Sequence, residues 1–220
     1  MTVVIGLTGG IASGKSVVSA MIGAEGAVVI DADKVGHEAY RRGSGCYDEV
    51  VAAFGPDVVG ADGEIDRKAL GAKVFGDRER RKRLEGIVWP WMRRTMDLRL
   101  GALRAQGVPV VLLEAAVLLE ADWVPLVDQV WLVTVAPGVA RQRIVERNGL
   151  TPEQADARIG AQLTNEEREK HAGVIIENNG TLDELRERVM AEWQQLIGHE
   201  SAKRATRSAQ EGEPPREDRR

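Results

Sequence analysis

The feature that most constrains the fold is a glycine-rich segment close to the start of the chain. It reads Gly9-Gly10-Ile11-Ala12-Ser13-Gly14-Lys15-Ser16, a full G-x-x-x-x-G-K-[ST] pattern, between the apolar run Val3 to Leu7 and a helix-compatible segment. In this setting backbone N–H groups surround phosphate oxygens, Lys15 reaches the β- and γ-phosphates, and the Ser16 hydroxyl binds Mg²⁺. The motif predicts a site for ATP or GTP. A dinucleotide site is not expected, because the chain has no G-x-G-x-x-G.

Short apolar runs alternate with longer helical patterns along the rest of the chain. These runs are rich in β-branched residues and almost continuously apolar, which is typical of parallel strands covered on both faces. We therefore predict an α/β fold with a five-stranded parallel sheet flanked by helices. The five runs are Val3 to Thr8, Ala27 to Ile30, Val108 to Leu113, Gln129 to Val135 and Gly173 to Ile176.

The long stretch between the second and third runs, about residues 34–106, has a helical pattern and indicates an inserted lobe. Asp66 and Asp77 are predicted to cap two of its helices, and Pro90 is predicted in the first turn of a third. After the lobe and two further runs, Thr151 is predicted to cap a helix together with Gln154.

Composition excludes several classes of protein. The 220 residues carry a formal charge of −4, which gives no support for nucleic-acid binding. Cys46 is the only cysteine, so the chain has no intrachain disulfide or multi-cysteine zinc site and fits a reducing compartment. No apolar stretch reaches membrane-spanning length and no signal-peptide pattern begins the chain, so we expect a soluble cytoplasmic protein with no membrane partner. Residues 198–220 are predicted to be a disordered, charged tail.

Two carboxylates follow the second apolar run, at the edge of the sheet where α/β proteins bind ligands. Asp33 is the candidate general base, which would accept the proton of an acceptor hydroxyl. Aspartate is also a common helix N-cap, and spacing alone leaves both interpretations open. Asp31 has the same two interpretations, with metal coordination as a third.

Other charged residues are candidates for the donor side. Glu114 follows the third run and is predicted to contact the Mg²⁺ hydration shell. Arg143 and Arg147 are four residues apart on one helix face, which suits either contact with phosphates or a solvated face paired with Glu146. Trp89 is interpreted as packing within the lobe or as a contact to an organic ligand.

Taken together, the motifs resemble the dephospho-coenzyme A kinase family from residue 3 to about 197. The segments that carry the resemblance are Ile5 to Gly10, Ile30-Asp31-Ala32-Asp33, Gly63 to Arg67 and Arg147-Asn148-Gly149. The similarity is closest to the kinase domain of bifunctional eukaryotic coenzyme A synthase, on the segments Gly36 to Tyr40, Trp89-Pro90 and Glu114 to Ala121.

The resemblance implies a P-loop kinase-like domain over residues 1–197, with an acceptor lobe at about 34–106 and a lid at about 141–165. It implies transfer of the ATP γ-phosphate to the ribose 3′-hydroxyl of dephospho-coenzyme A, with Mg²⁺. By resemblance, Asp33 and Lys15 are catalytic, Arg67 and Trp89 bind the acceptor with Asp33, and Ser16 binds the metal. Residues 9–16, Arg143, Arg147 and Asn178 are assigned to ATP.

Two alternatives are open at this point. Other small-molecule P-loop kinases share the donor site and would differ in the lobe. A nucleotide-binding regulatory protein would bind ATP without phosphorylating a substrate. A GTPase is disfavoured, because the chain lacks an Asn-Lys-x-Asp motif.

Overall fold

The structure is a computed structural model that describes residues 2–211, with side chains described up to residue 201. Its centre is a five-stranded, fully parallel sheet in the order β2-β3-β1-β4-β5, which confirms the predicted fold class. Each strand lies within two residues of its predicted apolar run. The strands are β1 Val3–Gly9, β2 Val28–Asp31, β3 Val110–Glu114, β4 Gln129–Thr134 and β5 Val174–Glu177.

The helices cover both faces of the sheet, which explains why the central strands are almost continuously apolar. They are α1 Lys15–Ala24, α2 Ala32–Ala39, α3 Gly45–Phe54, α4 Arg67–Val74, α5 Arg78–Ala105, α6 Pro137–Asn148, α7 Pro152–Gly160, α8 Asn165–Glu169 and α9 Leu182–Glu211. One buried cluster joins the sheet to α2, α3 and α5, and a second joins it to α1 and α9. All described residues from α2 to α5 lie between β2 and β3, and we call them the lobe.

The predicted helix starts are confirmed by hydrogen bonds. The Asp66 side chain accepts from two backbone N–H groups at the start of α4, and the Asp77 side chain caps α5 by accepting the Arg80 N–H. Thr151 and Gln154 form a reciprocal capping box at α7. These predictions succeeded because a cap depends on residues within one turn of each other.

The prediction for Pro90 is wrong. Pro90 lies inside α5, which runs without interruption from Arg78 to Ala105. The helix buries a stripe at every fourth position on both sides of the proline, formed by Val88, Met92, Met96 and Leu100. Packing of this stripe outweighs the missing N–H, and the carbonyl four residues earlier belongs to the exposed Gly86, where water can bind it.

The predicted disorder from residue 198 onward also differs from the structure. Helix α9 continues to Glu211, so residues 198–211 are helical, and the remainder of the predicted tail lies outside the described residues. Alanine and long charged side chains have high helix propensity, which lets this segment extend a helix anchored by Leu185, Val189 and Trp193. Of the helices described, none has the length and apolarity needed to span a membrane.

Candidate active site

The glycine-rich segment forms a tight turn between β1 and α1, as its motif predicts. Gly9 ends β1, and a Cβ there would lie 2.5 Å from the Val133 carbonyl oxygen. Gly14 has φ 91° and directly precedes α1. A side chain at Gly14 would collide with the Asn178 amide. The loop therefore requires glycine at both positions, and it presents the free N–H groups of the α1 terminus to an anion.

Two side chains from distant segments hold the loop in this shape. The Asn178 Nδ2 donates to the Ser13 carbonyl oxygen at 2.7 Å, and Asn178 is only 7% exposed. Arg143 donates to the Ala12 carbonyl and to the Asn178 Oδ1, both at 3.3 Å. Asn178 therefore supports the loop through its backbone, and its contact with ATP stays a prediction.

Lys15 and Ser16 both bind one carboxylate oxygen. The Lys15 Nζ lies 2.6 Å from the Glu114 Oε1, and the Ser16 hydroxyl donates to the same oxygen at 3.1 Å. Glu114 is the last residue of β3, where it is in register with Leu7 of β1 and Asp31 of β2. The parallel register thus brings the acid next to the phosphate loop, and its contact with the Mg²⁺ hydration shell stays a prediction.

The protonation of Glu114 follows from two opposing effects. Burial raises its pKa, whereas hydrogen bonds from Lys15, Ser19 and Ser16 and the charge of Lys15 lower it, and the net result is a pKa below the usual 4.5. Glu114 is consequently a carboxylate at neutral pH, and it holds Lys15 and Ser16 next to the anion-binding N–H groups.

The aspartates at the end of β2 and in the first turn of α2 have different roles in the structure. The Asp31 side chain caps α2 by accepting from the backbone N–H of Asp33 at 2.9 Å and of Lys34 at 3.2 Å. Asp33 lies in the first turn of α2, and its exposed carboxylate has no partner among the described residues. The capping interpretation is therefore confirmed for Asp31 and wrong for Asp33.

Asp33 separates two cavities. One, of about 770 Å³, is lined by Ser16, Asp31 and Glu114 and extends between α1 and α5; we call it the donor-side cavity. The other, of about 600 Å³, lies within the lobe and is called the lobe cavity. Of the described residues that line either cavity, Asp33 is the one that they share.

The lobe cavity combines an aromatic wall with polar groups. Trp89 lines it and packs edge-on against the fully buried Trp123, with ring centroids 6.4 Å apart, so its indole is held firmly. Arg67 lines the cavity as an exposed cation at the start of α4. Burial and the nearby Cys46 raise the pKa of Tyr40 despite the opposing charge of Arg67, so its phenol remains an O–H donor.

Arg147 does not join this group. Its Nε donates to the neighbouring Asn148 Oδ1 at 3.3 Å, and the side chain is exposed on α6. The exposed side chain fits the alternative of a solvated face, although the hydrogen bond of Glu146 is with Gln142 at 2.9 Å rather than with Arg147.

Two polar contacts near the loop were not predicted from the sequence. The Gln162 Oε1 accepts the Ile11 backbone N–H at 2.8 Å. Arg168 is buried and pairs with Glu120 at 3.0 Å. A charged side chain in each of two segments gives no sign of pairing when 48 positions separate them.

The site contains oxygen ligands of the type that Mg²⁺ prefers, in the Ser16 hydroxyl and the Glu114 and Asp31 carboxylates. In the described part of the chain, no cluster of three or more His, Cys, Asp or Glu side chains is placed to hold a metal by itself. These ligands therefore fit an ion that is bound largely through phosphates and water.

A phosphate loop at the carboxyl edge of a parallel sheet, facing a carboxylate and a second cavity, defines a P-loop kinase of the small-molecule type. Comparison with known proteins specifies it further. The family model for dephospho-CoA kinase matches residues 3–184, and the chain belongs to this family.

Individual relatives agree with this assignment. A dephospho-CoA kinase of Geobacter sulfurreducens is 47% identical over 190 residues, which cover 86% of this chain and 96% of the relative. The crystal structure of TT1252 from Thermus thermophilus matches with a TM-score of 0.74 and 35% identity, covering 89% of this chain and 98% of that chain. A dephospho-CoA kinase structure from Campylobacter jejuni gives 0.70 and 26% with the same coverage.

Proposed function

We propose that this chain transfers the γ-phosphoryl group of ATP to the ribose 3′-hydroxyl of dephospho-coenzyme A. The products are ADP and coenzyme A, so this is the last step of coenzyme A biosynthesis. Membership of the family and the two-cavity site support this reaction. We place the reaction in the cytoplasm, since a single buried cysteine fits a reducing compartment.

The observation that carries the proposal is the position of Asp33. Its carboxylate is unpaired, exposed, and common to the donor-side cavity and the lobe cavity. A general base must reach the acceptor hydroxyl where that hydroxyl meets the γ-phosphorus. In this reaction Asp33 accepts the 3′-hydroxyl proton, the oxygen forms its bond to phosphorus, and the bond to the leaving ADP oxygen breaks.

The donor side supplies positioning and positive charge. The loop N–H groups bind phosphate oxygens, and Lys15 moves from Glu114 to the β- and γ-phosphates, where it stabilises charge in the transition state. Ser16, with Glu114 through water, would hold the Mg²⁺, which neutralises phosphate charge when it is bound. Arg143 lies on α6 and keeps the loop in shape through its bond to the Ala12 carbonyl. Arg147, four residues further along, is proposed to reach ATP when the lid closes.

The acceptor side recognises a molecule with an aromatic base and a diphosphate. The fixed face of Trp89 suits stacking of adenine, and the guanidinium of Arg67 suits the phosphates. Asp33 lies between them and the donor, and it therefore orients the ribose.

The test is to incubate the purified protein with Mg-ATP and dephospho-coenzyme A and to follow ADP and the acceptor mass. We expect one ADP for each phosphoryl group gained, with phosphorus NMR placing that group on the 3′-oxygen. A matched acceptor that lacks the 3′-hydroxyl should gain none.

The same assay separates the alternatives. Phosphorylation of a different hydroxyl compound in preference to dephospho-coenzyme A would indicate another small-molecule kinase. ATP binding without product, or hydrolysis that ignores the acceptor, would indicate a regulatory nucleotide-binding protein and would contradict the proposal.

A further inference from the structure

Arg168, on α8, is an unusual residue because its charged side chain is only 1% exposed. Each of its three guanidinium nitrogens donates a hydrogen bond. The Nη2 donates to the Glu120 Oε1 at 3.0 Å, the Nε to the Leu163 carbonyl at 3.3 Å, and the Nη1 to the Ala116 carbonyl at 3.5 Å. A buried charge is costly unless it is fully paired, so this set of bonds specifies one arrangement of the segments around it.

The segment that Arg168 contacts runs from β3 into the site. Residues 115–122, here called the acceptor loop, follow Glu114 directly, and Val117 in this loop lines the lobe cavity. The Ala116 carbonyl that binds Arg168 also accepts from the hydroxyl of Thr8, which precedes Gly9 of the phosphate loop. Arg168 and Thr8 thus both bind Ala116, the residue that precedes Val117 of the cavity wall.

The segment that carries Arg168 also contacts the donor side. Gln162, six positions earlier, accepts the Ile11 N–H at 2.8 Å, and Leu163 accepts a bond from Arg168 itself. Residues 162–168 therefore touch the phosphate loop at one end and the acceptor loop at the other. This segment follows α7 and thus connects it to the phosphate loop and to the acceptor loop.

We propose that Arg168 is a positioning residue that fixes the acceptor loop through Glu120 and Ala116, and so places Val117 and the acceptor in line with the donor phosphate. This inference rests on the proposed function. It assigns to Arg168 and Glu120 an effect on the acceptor, because Arg168 binds Glu120 and Ala116 of the acceptor loop, whereas the contact of residues 162–168 with the phosphate loop is made by Gln162.

The experiment compares steady-state kinetics and ATP affinity for Arg168→Met, Arg168→Lys and Glu120→Gln. Methionine keeps the apolar stem and removes the charge. We expect Arg168→Met to raise KM for dephospho-coenzyme A about tenfold or more, with the dissociation constant for ATP within about threefold of wild type. Arg168→Lys keeps a cation opposite Glu120 but loses the bonds to Leu163 and Ala116, so its KM for dephospho-coenzyme A should lie between those of wild type and Arg168→Met. Arg186→Met, on the exposed face of α9, is the matched control.

A purely structural role predicts a different pattern. If Arg168→Met lowered only the fraction of folded enzyme and left both KM values unchanged, the inference would be overturned. If Arg168→Met does not fold, Glu120→Gln decides, because Glu120 is partly exposed and its neutralisation preserves shape. An acceptor KM equal to wild type in Glu120→Gln would also overturn the inference. A wild-type protein that makes no coenzyme A would instead refute the proposed function, and with it this inference.

Discussion

The Asp31 carboxylate caps α2 by accepting the Asp33 backbone N–H, and this bond leaves the Asp33 carboxylate free to face both cavities. Two aspartates that look equivalent in the sequence therefore differ in the structure: Asp31 caps α2, and Asp33 is the proposed general base. The variants Asp31→Ala and Asp33→Asn separate these roles.

Asp33→Asn should lower kcat by about 10²- to 10⁴-fold, because an amide cannot accept the 3′-hydroxyl proton. Its free energy of unfolding should match wild type, since Asp31 supplies the cap. Asp31→Ala should instead lose about 1 kcal/mol of stability. Denaturant unfolding and kcat at saturating substrates check both, and a kcat for Asp33→Asn within threefold of wild type would remove Asp33 from the mechanism.

Lys15→Ala should lower kcat/KM, with a loss of transition-state stabilisation on the order of 3 kcal/mol. The loop loses the cation that would stabilise the negative charge on the β- and γ-phosphates. ADP release in the presence of dephospho-coenzyme A is the measurement. Lys82→Ala, an exposed lysine on α5, is the control and should behave as wild type. Near-normal turnover of Lys15→Ala would contradict the proposed donor site.

Arg143→Ala should weaken ATP binding about tenfold, because Arg143 binds the Ala12 carbonyl of the loop and the Asn178 amide that holds the Ser13 carbonyl. Arg141→Ala serves for comparison, since Arg141 is exposed on the same helix and pairs with Asp156 at 3.2 Å. Titration with ATP measures the two dissociation constants. Equal affinities in the two variants would show that the loop keeps its shape without Arg143.

The stability of the protein should depend on pH through Glu114. Its folded-state pKa is lowered, so its pairing with Lys15 contributes stability above the ordinary value of 4.5, and this contribution is lost as the pH falls through the lowered pKa. Glu114→Gln should therefore be less stable than wild type by about 1 to 3 kcal/mol at neutral pH. The difference should shrink below about pH 4. Denaturant unfolding at both pH values tests this, and Glu169→Gln on the surface should show no such trend.

The Cys46 thiol should react slowly with thiol reagents in the folded protein. Burial, with a smaller contribution from Glu49, raises its pKa to about 11, and the residue is only 1% exposed. At pH 8 we expect a thiol reagent to react about 100-fold more slowly than with the unfolded chain. Because the chain has one cysteine, a single absorbance trace reports the reaction. Rapid labelling of the native protein would contradict this packing.

The sequence predicted those features whose physical cause is local. The phosphate loop, the five strands and the caps at Asp66 and Asp77 depend on neighbouring residues, and the structure has them in place. Local pattern could not decide between Asp31 and Asp33, because both are able to cap and only the backbone angles determine which one does.

The features that were missed depend on contacts between distant segments. Pro90 lies in mid-helix because the buried stripe of α5 continues past it, and Arg168 pairs with Glu120 only after the sheet has brought α8 to the acceptor loop. The roles of Arg67, Trp89 and Arg147 toward substrates stay predictions. Asp33, Arg67 and Trp89 do line one cavity, as an acceptor site requires.

The bond from the Asn178 amide to the Ser13 carbonyl spans 165 positions of the chain. A nascent chain that has only reached β4 already contains every residue of the glycine-rich motif, yet it lacks both Arg143 and the Asn178 amide that hold the loop. ATP affinity should therefore arise late in synthesis, after β5 has joined the edge of the sheet. Nucleotide binding then reports on completion of the fold, and a truncated product carrying the whole motif would bind ATP poorly.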